Sequence, residues 1–159
     1  MRVTALVFSL MITAACSAPP APPAPAPPPA ANPNPEYINL VEPFPYPFSS
    51  AVKIGNLVYV SGQIGSHMEN GAPVLVKGGL EHEAHQALDN IKAVLEKAGT
   101  SMDRVVKCTV MLADMKEWPK FNEIYATYFP GPKPARAAFG ATALAMNARV
   151  EIDCIAAAK

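Results

Sequence analysis

The segment that decides the fold is "LEHEAHQALDNIKAVLEKAG", Leu80 to Gly99, followed closely by "RVVKCTVML", Arg104 to Leu112. Apolar residues recur in the first stretch at intervals of three and four, which predicts one amphipathic helix from Leu80 to Ala98. Gly99 ends it, because glycine readily takes the left-handed conformation found after helices. The second stretch alternates as a strand does. We therefore expect a helix packed on a sheet that contains this strand.

The segments on either side supply more strands and a second helix. "KIGNLVYVSGQIG" predicts strand, turn and strand, since Gly55-Asn56 is a turn signal. The polar "SHMENGAPVLVKGG" is expected to be a loop. A second helix is predicted from Trp118 to Phe129, before a Pro-Gly-Pro run, and "PARAAFG" and "ARVEIDCIAA" follow as strands. This order predicts an α+β fold, a sheet with two helices on one face.

The middle strand also predicts an assembly. Val105 and Met111 lie opposite Val106, Val110 and Leu112 by alternation, so both faces of the strand are partly apolar. Two helices cover only one face, and no further element of the chain remains to cover the other. We therefore expect a homo-oligomer that buries the second face.

The first 35 residues read as export and tethering segments. Residues 1–15 have the short apolar run of a signal peptide, and "TAAC" resembles a bacterial lipobox with Cys16 as the lipidated residue. The alternative is ordinary cleavage without a lipid. Ten of the chain's 18 prolines lie between Pro19 and Pro35, so residues 16–35 are expected to form an extended spacer. Residues 36–159 form one domain of ordinary size.

Composition narrows the classes of partner. The formal net charge is zero and no basic stripe is present, so nucleic acid binding has no electrostatic support. Cys108 and Cys154 could form one disulfide in an oxidising compartment. Cysteines within apolar strands are more often small buried hydrophobes, and we expect two unlinked buried thiols here.

Arg136 in "PARAAFG" is the first candidate for chemistry. Alternation places Arg136, Ala138 and Gly140 on one face of a strand, and the small neighbours leave room beside the guanidinium. Such an arginine can bind a carboxylate through two parallel hydrogen bonds. An internal ion pair is the commoner explanation, and both readings stay open at this point.

Glu151 and Ser61 are the other candidates. Glu151 lies opposite Val150 and Ile152, where a carboxylate could serve as a general acid or base, or could pair with Arg136 or with Arg149. Ser61 in "SGQIG" ends a strand beside Gly62, where a hydroxyl near exposed backbone could hold a ligand. A serine in that place is usually a turn residue.

A metal site is not expected. His82 and His85 in "EHEAHQ" are three residues apart, which is not the four-residue spacing of a zinc-binding helix. No cysteine, histidine or aspartate cluster elsewhere offers further ligands. We interpret the pair as part of a polar, exposed first turn.

Taken together, these segments resemble the RidA (YjgF-type) family of reactive-intermediate deaminases. The resemblance covers nearly the whole domain and rests on "SGQIG", then "PAR", then "VEI" in that order. It implies a chorismate-mutase-like fold that assembles as a trimeric barrel, with sites in clefts between subunits. It also implies hydrolysis of carboxylate-bearing enamines or imines to keto acids and ammonia, with no metal or organic cofactor.

The resemblance assigns roles residue by residue. Arg136 would bind the substrate carboxylate, and Glu151 would position or activate water. Ser61 and the backbone near Gly62 and Ala138 would complete the pocket.

Three features depart from the family pattern. Phe48 stands at a pocket position where many members have tyrosine, the loop "LAMNARVE" lacks a usual proline, and the export signal is unusual. The second hypothesis is therefore a non-catalytic binder of small carboxylates, and the third is a protein-interaction module. Zero net charge argues against the ribonuclease activity also credited to family members.

Overall fold

The structure is a computed structural model that describes residues 34–42 and 46–159. Helix α1 spans Leu80–Lys97 and α2 spans Trp118–Tyr128, so both predicted helices are confirmed to within one residue at each end. The strands are β1 Glu36–Ile38, β2 Ala51–Ile54, β3 Leu57–Ile64, β4 Ser66–Glu69, β5 Ala72–Leu75, β6 Val105–Leu112, β7 Ala135–Gly140 and β8 Val150–Ala157.

Six of the strands form one mixed sheet in the order β1-β2-β3-β8-β6-β7. All neighbours are antiparallel except β6 and β7, which run parallel and are connected through α2. Strand β8, near the chain's end, lies between β3 and β6 in the centre of the sheet. Strand β7, which carries Arg136, has a neighbour on one side only.

One hydrophobic core lies between the helices and one face of the sheet. On α1, Leu88, Ile91 and Leu95 are fully buried, and they share the core with strand residues such as Val110 and Ile152. The buried positions of β8 alternate with half-exposed ones along its whole length. This arrangement confirms the predicted α+β fold with a helix-covered face and an open face.

The predicted loop between β3 and α1 was wrong, because that segment contains a hairpin. Strands β4 and β5 pair through a tight turn at Asn70-Gly71, whose φ angles are 51° and 80°. Asparagine and glycine are the residues that best accept positive φ at both central positions of such a turn. The polar composition concealed a strong hairpin signal.

The open face exposes large apolar residues, as the oligomer prediction requires. Tyr59 of β3 and Phe139 of β7 are 44% and 49% exposed. The predicted alternation along β6 was wrong at its start, because the register with β8 shifts between Val105 and Lys107. This irregularity leaves Val106 exposed, although alternation placed it with the buried Val110.

The two domain cysteines are joined by a disulfide, so the expectation of unlinked thiols was wrong. Cys108 and Cys154 are directly opposite each other on β6 and β8, and both are buried. Alternation along single strands could not show this, because the register between strands sets which side chains face each other.

The predicted signal peptide, lipidated Cys16 and nearly all of the proline-rich spacer lie outside the described residues. Within the part of the chain that the structure describes, no helix has the length and apolarity needed to cross a membrane.

Candidate active site

The sequence-predicted residues fall into two groups, and the first is an acidic one on the open face. Glu151 of β8 pairs in register with Ile64 of β3, and its carboxylate lies directly against Gly62. A β-carbon at Gly62 would collide with the Oε1 atom of Glu151. Glycine therefore allows the close approach of this carboxylate to the backbone. We call Ser61, Gly62 and Glu151 the acid half-site.

A β-bulge shapes this half-site. The register of β3 with β8 shifts between Val60 and Gln63, so Ser61 and Gly62 together oppose a single residue of β8. Bulges bend a strand and change the direction of its side chains, and they are frequent next to active sites. The side-chain amide of Gln63 donates hydrogen bonds to the carbonyls of Ser61 and Gly62 at 3.0 and 3.2 Å. The Gln63 side chain thus stabilises the bulge.

Ser61 links the acid half-site to the segment that precedes β2. Its hydroxyl donates a hydrogen bond of 2.7 Å to the Ser49 carbonyl, and its backbone N–H donates to the Ser50 carbonyl. Phe48, which directly precedes Ser49, is 52% exposed and stacks on Tyr46 with ring centroids 5.4 Å apart. A shallow cavity of about 400 Å³ beside Ser49 is lined in part by these rings. Phe48 therefore immediately precedes the residue whose carbonyl accepts the Ser61 hydrogen bond.

Burial changes the acidity of Glu151. Desolvation raises the pKa of its carboxyl above the ordinary 4.5, and the nearby Asp153 carboxylate raises that pKa further. Glu151 is half-buried, and within the described residues it has no ion-pair partner. A carboxylate whose pKa is shifted toward neutrality is suited to proton exchange with a substrate or a water molecule.

The second group lies on strand β7 and faces the opposite way. Arg136 and Ala138 share one face, as alternation predicted, and they pair in register with the buried Cys108 and Val110, so that face is the helix-covered side. The exposed residues Ala135, Ala137 and Phe139 occupy the open face. We call Arg136 and Ala138 the arginine half-site.

Helix α2 holds the Arg136 guanidinium. Its Nη2 donates a short hydrogen bond of 2.6 Å to the Oδ1 atom of Asn122. Its Cζ lies 4.7 Å from the ring centroid of Tyr125, and 5.8 and 5.9 Å from those of Trp118 and Phe121. These are favourable cation–π distances. We call these four α2 residues the arginine cradle.

Arg136 has no carboxylate partner among the described residues, so the internal ion pair considered from the sequence is absent there. Arg149 is the arginine that is paired instead: its Nε and Nη2 donate to the Glu117 carboxylate at 2.8 to 2.9 Å. The predicted alternative that Glu151 pairs with Arg149 was therefore wrong.

The two half-sites do not meet within one chain. Strand β7 is separated from β8 by β6, which puts Arg136 and Glu151 on strands about 10 Å apart, given the usual spacing between strands. Along β6, Arg136 lies level with Cys108 and Glu151 with Met111. Their side chains also point to opposite faces. Within one chain, the two side chains therefore face away from each other.

Sequence reasoning missed Asn122. Asn122 follows Phe121 on the turn between Trp118 and Tyr125. Its position four residues after Trp118 was the available signal, but an asparagine within a helix offers no signature of its own.

His82 and His85 are exposed, as predicted from the sequence. His82 contacts the Gly78 carbonyl and His85 contacts the Tyr128 hydroxyl, both at exposed positions. Across residues 34–42 and 46–159, no three histidine, cysteine or acidic side chains are grouped to hold a metal ion.

Comparison with known proteins gives consistent matches. The family model described as "Endoribonuclease L-PSP" matches residues 42–158. A protein named 2-iminobutanoate/2-iminopropanoate deaminase from Mus musculus is 48% identical over 110 residues, covering 69% of this chain and 80% of that protein. The protein of the same name from Homo sapiens is 44% identical over 110 residues, covering 69% and 79%.

Solved structures match over the same domain. Yeast Mmf1 superposes with a TM-score of 0.73 at 36% identity, covering 79% of this chain and 100% of that chain. YyfA of Yersinia pestis, described as a member of the conserved Rid protein family, gives a TM-score of 0.72 at 35% identity, covering 78% and 99%.

Proposed function

Because this chain belongs to the Endoribonuclease L-PSP family, which is the YjgF/RidA family, we propose that it hydrolyses enamines or imines of amino acids. The products are 2-oxo acids and ammonia. The observation that carries this proposal is that two residues of opposite charge each lack an ion-pair partner. Arg136 has no carboxylate partner within the described residues, and Glu151 has a raised pKa and no cationic one.

The proposed site closes between two copies of the chain. The arginine half-site lies at the edge strand β7, and the acid half-site lies at the bulge of β3 on the open face. A trimer that buries the open faces would bring Arg136 of one copy toward Ser61, Gly62 and Glu151 of its neighbour. The exposed Tyr59 and Phe139 support such burial, because large apolar side chains on a sheet face favour a partner layer.

The proposed mechanism asks for orientation and one proton relay. Arg136 binds the substrate carboxylate through its remaining N–H donors, which lowers the entropic barrier to attack. A proton from solvent added to the enamine carbon gives the iminium ion.

Glu151 then takes a proton from water as the water oxygen bonds to the iminium carbon. Glu151 returns this proton to the nitrogen. The carbon–nitrogen bond then breaks as the hydroxyl oxygen loses its proton, and that proton leaves with ammonia as ammonium, which gives the 2-oxo acid. Ser61 and the backbone at Gly62 and Ala138 border the reacting atoms, and Phe48 forms a wall without the hydroxyl of tyrosine.

We further propose that the protein acts outside the cytoplasm, anchored through a lipid on Cys16. The buried disulfide between Cys108 and Cys154 supports an oxidising compartment, since cytosolic thiols are kept reduced. Incorporation of a labelled fatty acid into the wild type, and none into Cys16→Ser, is the expected result. Labelling of neither protein would contradict the anchor.

Turnover tests the function directly. Imines generated in situ by an amino-acid oxidase are offered to the purified protein, and ammonia or 2-oxo acid release is followed. We expect rapid release by the wild type and near-background release by Arg136→Ala of unchanged oligomeric mass. Equilibrium binding of 2-oxo acids without turnover would favour the non-catalytic binder. Cleavage of RNA at a comparable rate would favour the activity in the family description.

A further inference from the structure

We propose that Asn122 is a positioning residue that presents the Arg136 guanidinium to the substrate carboxylate while leaving its charge unneutralised. This inference rests on the proposed function and extends it to a residue that no sequence motif indicated. Asn122 does not itself contact the substrate. Its role is to act through Arg136.

Helix α2 holds the guanidinium of Arg136 in one place through Asn122 and the three rings of the cradle. Asn122, Trp118 and Tyr125 stand at positions i+4, i and i+7 of α2, so they share one helix face toward β7. Asn122 accepts one hydrogen bond from Arg136 at 2.6 Å, and the three rings of the cradle surround the guanidinium carbon within 5.9 Å. Arginine loses considerable side-chain entropy when it is held in one rotamer, and the cradle removes that freedom before a ligand arrives.

The groups that hold the Arg136 guanidinium are neutral. An amide oxygen and aromatic faces attract a cation but carry no net negative charge. Arg149 shows the contrast, because two of its nitrogens are bound by the Glu117 carboxylate and its charge is matched. The guanidinium of Arg136 has five N–H donors, of which the described residues use Nη2 alone. The remaining donors and the full positive charge are left for an incoming carboxylate.

An acidic residue at position 122 should weaken binding of the substrate carboxylate. Aspartate has nearly the shape of asparagine and offers the same oxygen to Nη2. Its charge would neutralise Arg136 and compete with the substrate carboxylate. A residue with only a structural role would tolerate aspartate well, since a partly buried ion pair would replace a neutral hydrogen bond. A residue that positions a charged binding group would not.

The experiment measures binding of 2-oxobutanoate, a carboxylate product of the proposed reaction, by calorimetry, together with imine turnover. The variants are Asn122→Ala and Asn122→Asp, and the exposed turn variant Asn56→Asp controls for net charge. Thermal midpoint and oligomeric mass are measured for each. We expect binding about tenfold weaker in Asn122→Ala and at least about tenfold weaker again in Asn122→Asp, from the strength of charge-assisted hydrogen bonds.

The loss should appear mainly in KM, because the bond to the carboxylate exists before and during reaction. Asn122→Asp should melt no lower than Asn122→Ala. Binding by Asn122→Asp equal to the wild type, or stronger than by Asn122→Ala, would overturn the inference. Binding by the wild type without turnover would remove the deaminase function and leave the ranking of variants as the test of positioning. Absence of wild-type binding would overturn both.

Discussion

Two arginines and two glutamates of this chain are arranged in opposite ways. Arg149 and Glu117 are joined by hydrogen bonds of 2.8 to 2.9 Å, and each neutralises the other. Arg136 and Glu151 lie on opposite faces of the sheet, and the chain alone cannot join them. One pair therefore connects structural elements, whereas the other supplies two unmatched charges.

The energetic setting of the two pairs differs accordingly. The Arg149 pair ties the entry of β8 to the N-terminus of α2, and the Arg149 backbone N–H also donates to the buried Glu83 carboxylate. Arg136 is held by neutral groups, and Glu151 is desolvated without compensation. Titratable groups with perturbed pKa values cluster at functional sites, which is the basis for the proposal above.

Replacing each arginine by lysine should separate the two pairs most clearly. Lysine keeps the charge but loses the planar fork of donors. We expect Arg136→Lys to lower kcat/KM for a carboxylate-bearing imine by about 100-fold, on the scale of a lost charge-assisted bidentate contact, with an unchanged thermal midpoint.

Arg149→Lys is its matched control. It should keep kcat/KM within about threefold of the wild type and lower the free energy of unfolding by no more than about 1 kcal/mol, as for a partly exposed pair. Equal losses of activity in both variants would erase the distinction drawn here.

The pH dependence should report Glu151 as the unmatched carboxylate. Desolvation raises its pKa above 4.5, so the ionised base is lost as pH falls through that raised value. We expect kcat/KM to fall about tenfold per pH unit below it, as for a single essential base. The small residual turnover of Glu151→Gln should lack this limb, and a limb retained in that residual turnover would assign it to another group.

Stability should respond to Glu151 in the reverse direction. Because the folded-state pKa is raised, its contribution to stability is present at low pH and is lost as pH rises through the folded value. Glu151→Gln should therefore gain stability over the wild type at neutral pH.

Gly62→Ala should disturb catalysis with little effect on the fold. The added methyl group would occupy the place of the Glu151 Oε1 atom, which lies at the movable end of a side chain. We expect kcat to fall about tenfold through displacement of the base, with stability changed by less than about 1 kcal/mol. Gly131→Ala is the control, because a β-carbon there meets nothing within 4 Å. Normal turnover by Gly62→Ala would show that the close approach is not needed.

The smallest effect should come from Tyr125→Phe. Its hydroxyl is a buried side-chain polar atom with no hydrogen-bond partner among the described residues, and burial raises its pKa to about 12. Removing it keeps the ring face against Arg136. We expect kcat/KM within about twofold and an increase in unfolding free energy of up to about 1 kcal/mol, since an unsatisfied buried group is costly. A large loss of activity would instead assign the hydroxyl a role in the site.

The sequence could predict features that depend on one segment at a time. The period of α1, the strand alternation that places Arg136 with Ala138, and the alternation that places Glu151 opposite Val150 and Ile152 are all confirmed. Features that depend on the register between strands were not accessible. The bulge at Ser61 and the disulfide of Cys108 are examples, because each depends on which residue of β8 lies opposite.

The separation of the half-sites has the same origin. Alternation assigns a face within each strand, but only the sheet order shows that β6 lies between β7 and β8. Asn122 was inaccessible for a related reason, since its contact with Arg136 joins a helix to the strand that follows it.

The most direct test of the shared site is complementation between two inactive variants. Arg136→Ala and Glu151→Gln are unfolded together and refolded as an equal mixture, and imine turnover is measured. With random mixing, about three quarters of the trimers contain both variants, and one of the three interfaces in each of these joins an intact Arg136 to an intact Glu151. We therefore expect about a quarter of wild-type activity. Each variant refolded alone should stay near background. A mixture as inactive as its parents, at normal oligomeric mass, would place both residues in one chain's site or in none.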